Sequence, residues 1–257
     1  MKKDINVRLI RHATIVIEIG DVKFLVDPLL AAKDTYDPVA NSGTQIRYPR
    51  IELPIGQDEL TALIKDVDAV LVTHTHRDHW DDLAQQMIDK EKPLFCQPAD
   101  LEKIQSQGFT NLKAVADELS FKSIKINRTG GQHGTGEIGK KMGVVSGFVL
   151  NNGAASVYVA GDTIWCGEVK DALQMYHPDV TVVNAGAPQY TTGDPITMTS
   201  ADIVKVYKEL PSTDIIAVHM DTISHAKVSR KQLREQLTEC GYLEKVSIPE
   251  DGEVVRR

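Results

Sequence analysis

Four side chains that can bind a metal fall within six consecutive positions, in the pattern His-x-His-x-Asp-His. They are His74, His76, Asp78 and His79. Three imidazoles and a carboxylate this close together suit one or two divalent transition ions. The short apolar run at 68–72 predicts a buried strand before them, and Asp81-Asp82 after them indicates the start of a helix. The cluster is therefore expected on a strand-to-helix loop, where reactive groups are often placed.

Further metal-binding side chains follow three later predicted strands. The strand near 123–126 leads to His133, the strand at 156–160 ends at Asp162, and the strand at 214–218 ends at His219. If these strand ends converge with the first cluster, they supply enough ligands for two cations. A carboxylate such as Asp162 can bridge two ions, and water between them loses a proton near neutral pH.

The bulk composition restricts the partners and the compartment. The chain has 257 residues, which fits one large domain or two small ones, and its net charge is −7. The negative charge argues against nucleic-acid and anionic-lipid partners, although a small anionic substrate remains compatible with it. Three distant cysteines predict no disulfide framework, and no apolar run is long enough to cross a bilayer. With no signal-peptide pattern at the N-terminus, we expect a cytoplasmic protein.

Strand and helix patterns come in two successive groups. Strands are predicted at 7–10, 14–19 and 22–26, then a long loop at 28–56, then helices at 57–66, 81–90 and 99–107. The second group has strands at 123–126, 144–149, 156–160, 179–183 and 214–218, and helices at 168–176, 200–210 and 229–240. This arrangement predicts an α/β (α+β) fold with two sheets packed face to face and helices outside.

With these residues in place, the sequence resembles the metallo-β-lactamase superfamily of metallohydrolases. The resemblance rests on the 73–79 signature, with His133, Gly161-Asp162-Thr163 and His219 following in the expected order. It covers almost the whole chain and implies one domain, 1–257, with a four-layer αββα sandwich. Within the superfamily, the segments 11–14, 25–28 and 219–221 resemble the group that includes the L-ascorbate-6-phosphate lactonases.

The resemblance also implies roles for individual residues. The first ion would be held by His74, His76 and His133, and the second by Asp78, His79 and His219, with Asp162 bridging both. Asp27 would bond the signature loop without touching metal. Two divalent ions are implied, with zinc or manganese favoured and iron also compatible.

The implied activity is hydrolysis of a small ester, lactone or phosphoester substrate by a metal-bridging hydroxide. Asp78 and Asp162 would serve in catalysis, and His225 would assist the oxyanion or the leaving group. An iron-dependent oxidoreductase on the same ligands and a phosphodiesterase acting on a nucleotide or lipid are the alternatives. The partner is a small molecule, and a homo-oligomer is compatible with the sequence. The specificity is expected in the loops 28–56, 134–142 and 187–199.

Several other residues have two possible interpretations, one functional and one structural. His12 could face the metal site or be a structural histidine, and His225 could be a loop or capping residue. Arg77, Arg47, Arg50, Lys140 and Lys141 could contact an anionic substrate or lie on a solvated face.

Cys166 is expected to be an inert thiol, Trp80 to pack under the metal loop, and His177 to occupy a surface turn. Trp165 either borders the cleft or packs inside.

Overall fold

The first sheet has seven strands and begins with the N-terminal hairpin. The computed structural model describes residues 4–257. This sheet runs in the order β14-β1-β2-β3-β4-β5-β6. Its strands are β1 (Ile5–Arg11), β2 (Thr14–Ile19), β3 (Val22–Val26), β4 (Ala69–Val72), β5 (Leu94–Cys96), β6 (Leu112–Ala114) and β14 (Val254–Arg256). Pairing is antiparallel from β14 to β3 and parallel from β3 to β6.

The second sheet repeats this plan with the order β13-β12-β11-β10-β9-β8-β7. Its strands are β7 (Glu118–Phe121), β8 (Ile124–Thr129), β9 (Gly147–Asn151), β10 (Ser156–Val159), β11 (Val180–Asn184), β12 (Asp214–Val218) and β13 (Val246–Ser247). Pairing is antiparallel from β7 to β10 and parallel from β10 to β13. The two sheets therefore each combine a hairpin half with a crossover half.

Helices cover the outer face of both sheets. They are α1 (Gln57–Asp66), α2 (Asp82–Met87), α3 (Leu101–Ser106), α4 (Gly136–Met142), α5 (Gly167–Tyr176), α6 (Ser200–Glu209) and α7 (Arg230–Glu239), with 3₁₀ turns at Pro98–Asp100 and Leu243–Lys245. One apolar cluster joins the two sheets, a second lies under α5, α6 and α7, and a third lies under α1, α2 and α3. The four layers are helix, sheet, sheet and helix, as predicted.

The parallel halves of the sheets position the polar groups. Asp27 follows β3, Thr73 follows β4, Asp162 is the third residue after β10 and His219 follows β12. Since β3 and β4 are parallel neighbours, as are β10, β11 and β12, their carboxyl ends lie at a common edge of each sheet. Burial fixes the positions of the apolar strands, so the polar residues that follow them lie close together at this edge.

The loop at 28–56 is held by two buried charged side chains. The Asp81 carboxylate accepts hydrogen bonds from the backbone N–H groups of Leu30 and Ala31, at 3.0 and 2.7 Å. Arg11 donates to the carbonyls of Leu29 and Ala31, both at 2.8 Å. Within the described part of the loop, the one β-bridge joins Tyr36 and Tyr48. The predicted long loop is confirmed, and hydrogen bonds with Arg11 and Asp81 fix the backbone at its start.

Most predicted elements are confirmed, and α7 opens with a capping box at Ser229. The segment 134–142, which the sequence presents as a loop, instead contains α4, because glycines 136 and 139 obscure its helical pattern. The strand expected at 144–149 begins at Gly147. Among residues 4–257, no helix combines the length and apolarity that crossing a membrane requires.

Candidate metal centre

The structure brings all seven predicted metal ligands together where the two sheets meet. They form overlapping groups, and within each group the candidate ligand atoms lie within 4.8 Å of one another. The groups are His74, His76 and His133; His12, Asp78, His79 and His219; and His74, His79 and Asp162. The first sheet supplies the signature residues, and the second supplies His133, Asp162 and His219.

The first half of the cluster consists of three imidazoles. His74 Nε2 lies 2.9 Å from His76 Nδ1, and the ring of His133 lies 5.2 Å from that of His76. His74 and His133 are buried, whereas His76 is partly exposed toward the cavity. This grouping is the one predicted for the first ion.

The second half combines two imidazoles with a carboxylate. His79 Nε2 and His219 Nε2 are 3.2 Å apart, and Asp78 Oδ2 lies 3.7 Å from each of them. Both histidine side chains are fully buried. Three ligand atoms converging in this way fit a second cation.

Asp162 lies between the two halves. Its Oδ2 is 3.3 Å from His79 Nε2 and 3.4 Å from His133 Nε2, and its Oδ1 is 3.3 Å from His219 Nε2. Asn184 donates its amide N–H to the same Oδ1 at 2.6 Å. The two oxygens therefore face different parts of the cluster, which is the geometry that a bridging carboxylate needs.

Hydrogen bonds outside the cluster orient its imidazoles. Asp27 accepts from the Thr73 backbone N–H, from the Thr73 hydroxyl and from His79 Nδ1, at 2.7, 2.6 and 2.9 Å. Because the Thr73 hydroxyl gives its hydrogen to Asp27, its oxygen can accept from His74 Nδ1 at 3.1 Å. His133 Nδ1 donates to the carbonyl of Ile196 at 2.8 Å. Each bond leaves a bare Nε2, the form that binds metal.

The predicted position of Asp27 is thus confirmed, since it bonds the signature loop from behind. Its backbone has a φ of +46°, and that of His219 has a φ of +71°. Non-glycine residues adopt positive φ rarely, and such strain tends to persist at functional sites.

Charge at the site is also suited to cations. Burial opposes ionisation of Asp162, but His219, His79 and His133 outweigh it and hold the pKa of this carboxyl well below its ordinary value. The pKa of Asp78 is likewise held well below its ordinary value, against burial, chiefly by His79 and His12. Burial lowers the pKa values of His74 and His133, so these imidazoles are neutral at pH 7.

For His79 and His219, burial is outweighed by the facing carboxylates, first that of Asp162, and the pKa of each imidazole is raised. The buried carboxylates are thus ionised, and nearby positive charge stabilises them. Divalent ions supply such charge, and zinc, manganese and iron bind nitrogen and oxygen ligands. The donor set fits two such ions.

A cavity of about 210 Å³ opens onto the cluster. Its floor includes His76, Asp78, His133 and Asp162, and its walls are Val39, Tyr48, Arg77, Met142, Pro188, Tyr190, Ile196, Ile223 and His225. The His225 ring lies 5.4 Å from that of Tyr190, and burial lowers the pKa of its imidazole to about 4. His225 therefore lines the cleft. Its catalytic role stays a prediction.

Arg77 also lines this cavity, with its guanidinium 5.1 Å from the Tyr36 ring centre and its side chain 57% exposed. The two other positive spots lie away from it. Arg47 pairs with Asp37, and Lys140 pairs with Glu137, on the exposed surface. Neither lines the cavity at the cluster.

Four other residues considered from the sequence lie outside the metal centre and its cavity. Cys166 precedes α5, contacts Thr163 and belongs to none of the metal-binding groups found among residues 4–257. Trp80 is buried against Phe109 under the metal loop. His177 is an exposed residue at the end of α5. Trp165 packs against the core and is not among the residues that line the cavity.

Sequence reasoning missed three contributors to the site. Asn184 ends β11, so the strand-end pattern that identified Asp162 and His219 could have found it. A neutral amide, however, is not a typical metal ligand, so it was not predicted. Tyr190 and the Ile196 carbonyl lie on the 187–199 loop, where specificity was expected, but no motif in that loop predicts these individual contacts.

Comparison with known proteins agrees with this geometry. A family model described as "Beta-lactamase superfamily domain" matches residues 23–220. The chain is 37% identical to the UPF0173 protein YddR of Bacillus subtilis (strain 168), over 96% of this chain and 98% of that protein.

Two solved structures are similar over nearly their full lengths. One is an isothiocyanate hydrolase from Delia radicum gut bacteria, with 36% identity and a TM-score of 0.91, covering 98% of this chain and 99% of that one. The other is a possible metal-dependent hydrolase from Veillonella parvula DSM 2008, with 37% identity and a TM-score of 0.93, covering 100% of both chains.

Proposed function

This chain belongs to the β-lactamase superfamily and is a metal-dependent hydrolase, and we propose that its substrate is a small uncharged molecule with an electrophilic carbon. An isothiocyanate is the first compound to test, since a relative with 36% identity is described as an isothiocyanate hydrolase. Esters and lactones present a carbon open to the same attack. Membership of the lactonase-like group stays a prediction.

The cavity carries this proposal. Its volume of about 210 Å³ is below the roughly 300–1,000 Å³ of pockets for drug-sized ligands. Beyond the polar floor, its walls include Val39, Ile196, Ile223 and Met142. Such a site suits a short apolar group, and it leaves little room for a nucleotide or a lipid. Arg77 is the one lysine or arginine among the described residues that line it, which favours an uncharged substrate over a phosphoester.

When bound, the two ions would supply Lewis acidity and a water of lowered pKa. The chain's own residues do the rest. Asp162 is held by Asn184 with Oδ2 between His79 and His133 and Oδ1 toward His219, so it can orient the water and accept its hydrogen bond. His225, neutral at pH 7, can donate an N–H to the atom that gains negative charge.

For an isothiocyanate, the chemistry balances with water alone. The water oxygen bonds to the central carbon, the C=N electron pair moves to nitrogen, and that nitrogen takes a proton. The resulting thiocarbamic acid gives the second proton of the water to the same nitrogen, the C–N bond breaks with its electron pair going to nitrogen, and the products are the amine and carbonyl sulfide. An ester or lactone instead loses an alkoxide, which takes the proton. The apolar walls would hold the organic group in either case.

The test is turnover of a matched panel by protein loaded with zinc or manganese. The panel contains a short alkyl isothiocyanate, a small ester, a lactone and a phosphodiester. We expect hydrolysis of one or more carbon electrophiles and a fall in kcat/KM of at least about 100-fold in Asp162→Asn. Asp171→Asn, at an exposed carboxylate, serves as the control. Turnover of the phosphodiester alone, or oxygen uptake by the iron-loaded protein without hydrolysis, would reject the proposal.

A further inference from the structure

His12 is a buried histidine that lies against the second half of the cluster without belonging to the predicted ligand set. Its side chain is fully buried, and its Nε2 lies 3.1 Å from Asp78 Oδ2. Its ring centre lies 3.7 Å from that of His219, with the rings tilted by 36°. His12 therefore touches two of the three ligands expected for the second ion.

The contact with Asp78 defines which atom donates. An ionised carboxylate has no hydrogen to give, so the hydrogen between these groups is carried by His12 Nε2. A nitrogen that carries a hydrogen has no lone pair for a metal. The acceptor, Asp78 Oδ2, is the same oxygen that faces His79 Nε2 and His219 Nε2 at 3.7 Å. The hydrogen bond thus orients the ligand atom itself.

The backbone ties His12 to the site as well. His12 lies in the turn between β1 and β2 with a φ of +63°, which residues other than glycine adopt uncommonly. Its carbonyl accepts a hydrogen bond from the His219 backbone N–H at 2.9 Å. Its ring Nδ1 is buried and has no hydrogen-bond partner among the described residues. The backbone of His12 thus has an uncommon conformation, and its ring is incompletely hydrogen-bonded beside the metal ligands.

From these contacts we propose that His12 is a positioning residue for the second metal site. It donates Nε2–H to Asp78 and packs against His219, so that both ligands keep the orientation an ion requires. It sets the affinity of that half-site without binding the ion. This inference concerns the metal centre alone and does not depend on which substrate is hydrolysed.

The test measures metal affinity directly. His12→Phe keeps a ring against His219 and removes the donor, whereas His12→Gln replaces the imidazole by an amide that can donate. Zinc and cobalt are titrated in competition with a chromophoric chelator, and the cobalt spectrum reports each half-site. We expect His12→Phe to weaken the second ion by about 10- to 100-fold and to spare the first. His12→Gln should recover most of that loss.

Two further variants make the result decisive. His12→Asn tolerates positive φ but is too short to reach Asp78, so it should behave like His12→Phe even if the phenylalanine variant folds poorly. His177→Asn, at an exposed histidine with a φ of +44°, is the matched control. Loss of the second ion in His12→Gln as complete as in His12→Phe would make His12 a ligand and overturn the inference. Unchanged second-site affinity in His12→Phe and His12→Asn would also overturn it.

Discussion

One carboxylate, that of Asp27, controls the chemistry of two imidazoles. It accepts directly from His79 and indirectly, through the Thr73 hydroxyl, from His74. One of these histidines belongs to each half of the cluster. Because the tautomer decides which ring nitrogen is free for metal, a residue that touches no ion sets the donor capacity of both half-sites.

Replacing Asp27 by Asn should therefore weaken metal binding at both half-sites. The amide removes the charge and one acceptor, so His79 and Thr73 lose their common partner. We expect an affinity loss of about 10- to 100-fold, measured by chelator competition. Asp66→Asn, at an exposed carboxylate paired with Lys23, is the control. Equal affinity in the Asp27 variant and the control would refute this role.

At this scale the sequence predicted the charged residues and missed the neutral ones. The spacing at 74–79 and the acidic or histidine residue after each strand identify the ligands, because few side chains bind metal. Asn184 and the Ile196 carbonyl act through contacts between segments distant in sequence, at 2.6 and 2.8 Å. No local pattern encodes such contacts.

At the scale of elements, α2 and the 28–56 loop depend on the same side chain. Asp81 caps α2 by accepting from the Ala84 N–H at 2.7 Å, and it also accepts from Leu30 and Ala31. Burial raises its pKa, although these backbone donors oppose the shift. The helix that follows the metal loop and the loop that supplies Tyr48 to the cavity wall are thus joined at one carboxylate.

Asp81→Ala should therefore cost more than the loss of an ordinary helix cap. Removing a cap costs about 1 kcal/mol, and the two buried N–H groups of the loop would also lose their acceptor, for a total of about 2–4 kcal/mol. Urea unfolding gives the free energy of unfolding. The comparison is Ser229→Ala at the cap of α7, for which about 0.5–2 kcal/mol is expected. Equal losses would show that Asp81 acts as a cap alone.

Element prediction succeeded where a pattern was long and failed where it was short. The ten residues of α1 and the apolar run of β12 are recognisable from their sequence patterns. The three-residue strands β5 and β6 form because β5 pairs with β4 and β6 pairs with β5, and α4 carries two glycines. Tertiary contacts decide such segments, and propensity does not.

At the scale of the whole molecule, the metal centre lies between the two sheets and takes ligands from both. The signature residues follow β4 of the first sheet, and Asp162 and His219 follow β10 and β12 of the second. Bound ions would therefore link the sheets across the edge of their common core. The two-sheet arrangement was predictable from the grouping of strands, but strand order and register arise only when the sheets pack.

Removal of metal should accordingly destabilise the entire fold. An ion that binds only the folded state, present at 100 times its dissociation constant, stabilises it by about 2.7 kcal/mol. We expect chelation to lower Tm in a way that added zinc or manganese reverses. His177→Asn should show the same shift as the wild type, and Asp162→Asn a smaller one. A Tm that is independent of chelator would contradict a structural link between the sheets.

The most direct measurement is the number of metal ions bound per chain, determined by elemental analysis of protein reconstituted with zinc or manganese and freed of excess ion. The arrangement of six imidazole and carboxylate ligands around Asp162 predicts two ions per wild-type chain. His76→Ala, in the first half-site, should lower that number. One ion or none in the wild type under every loading condition would contradict the binuclear centre.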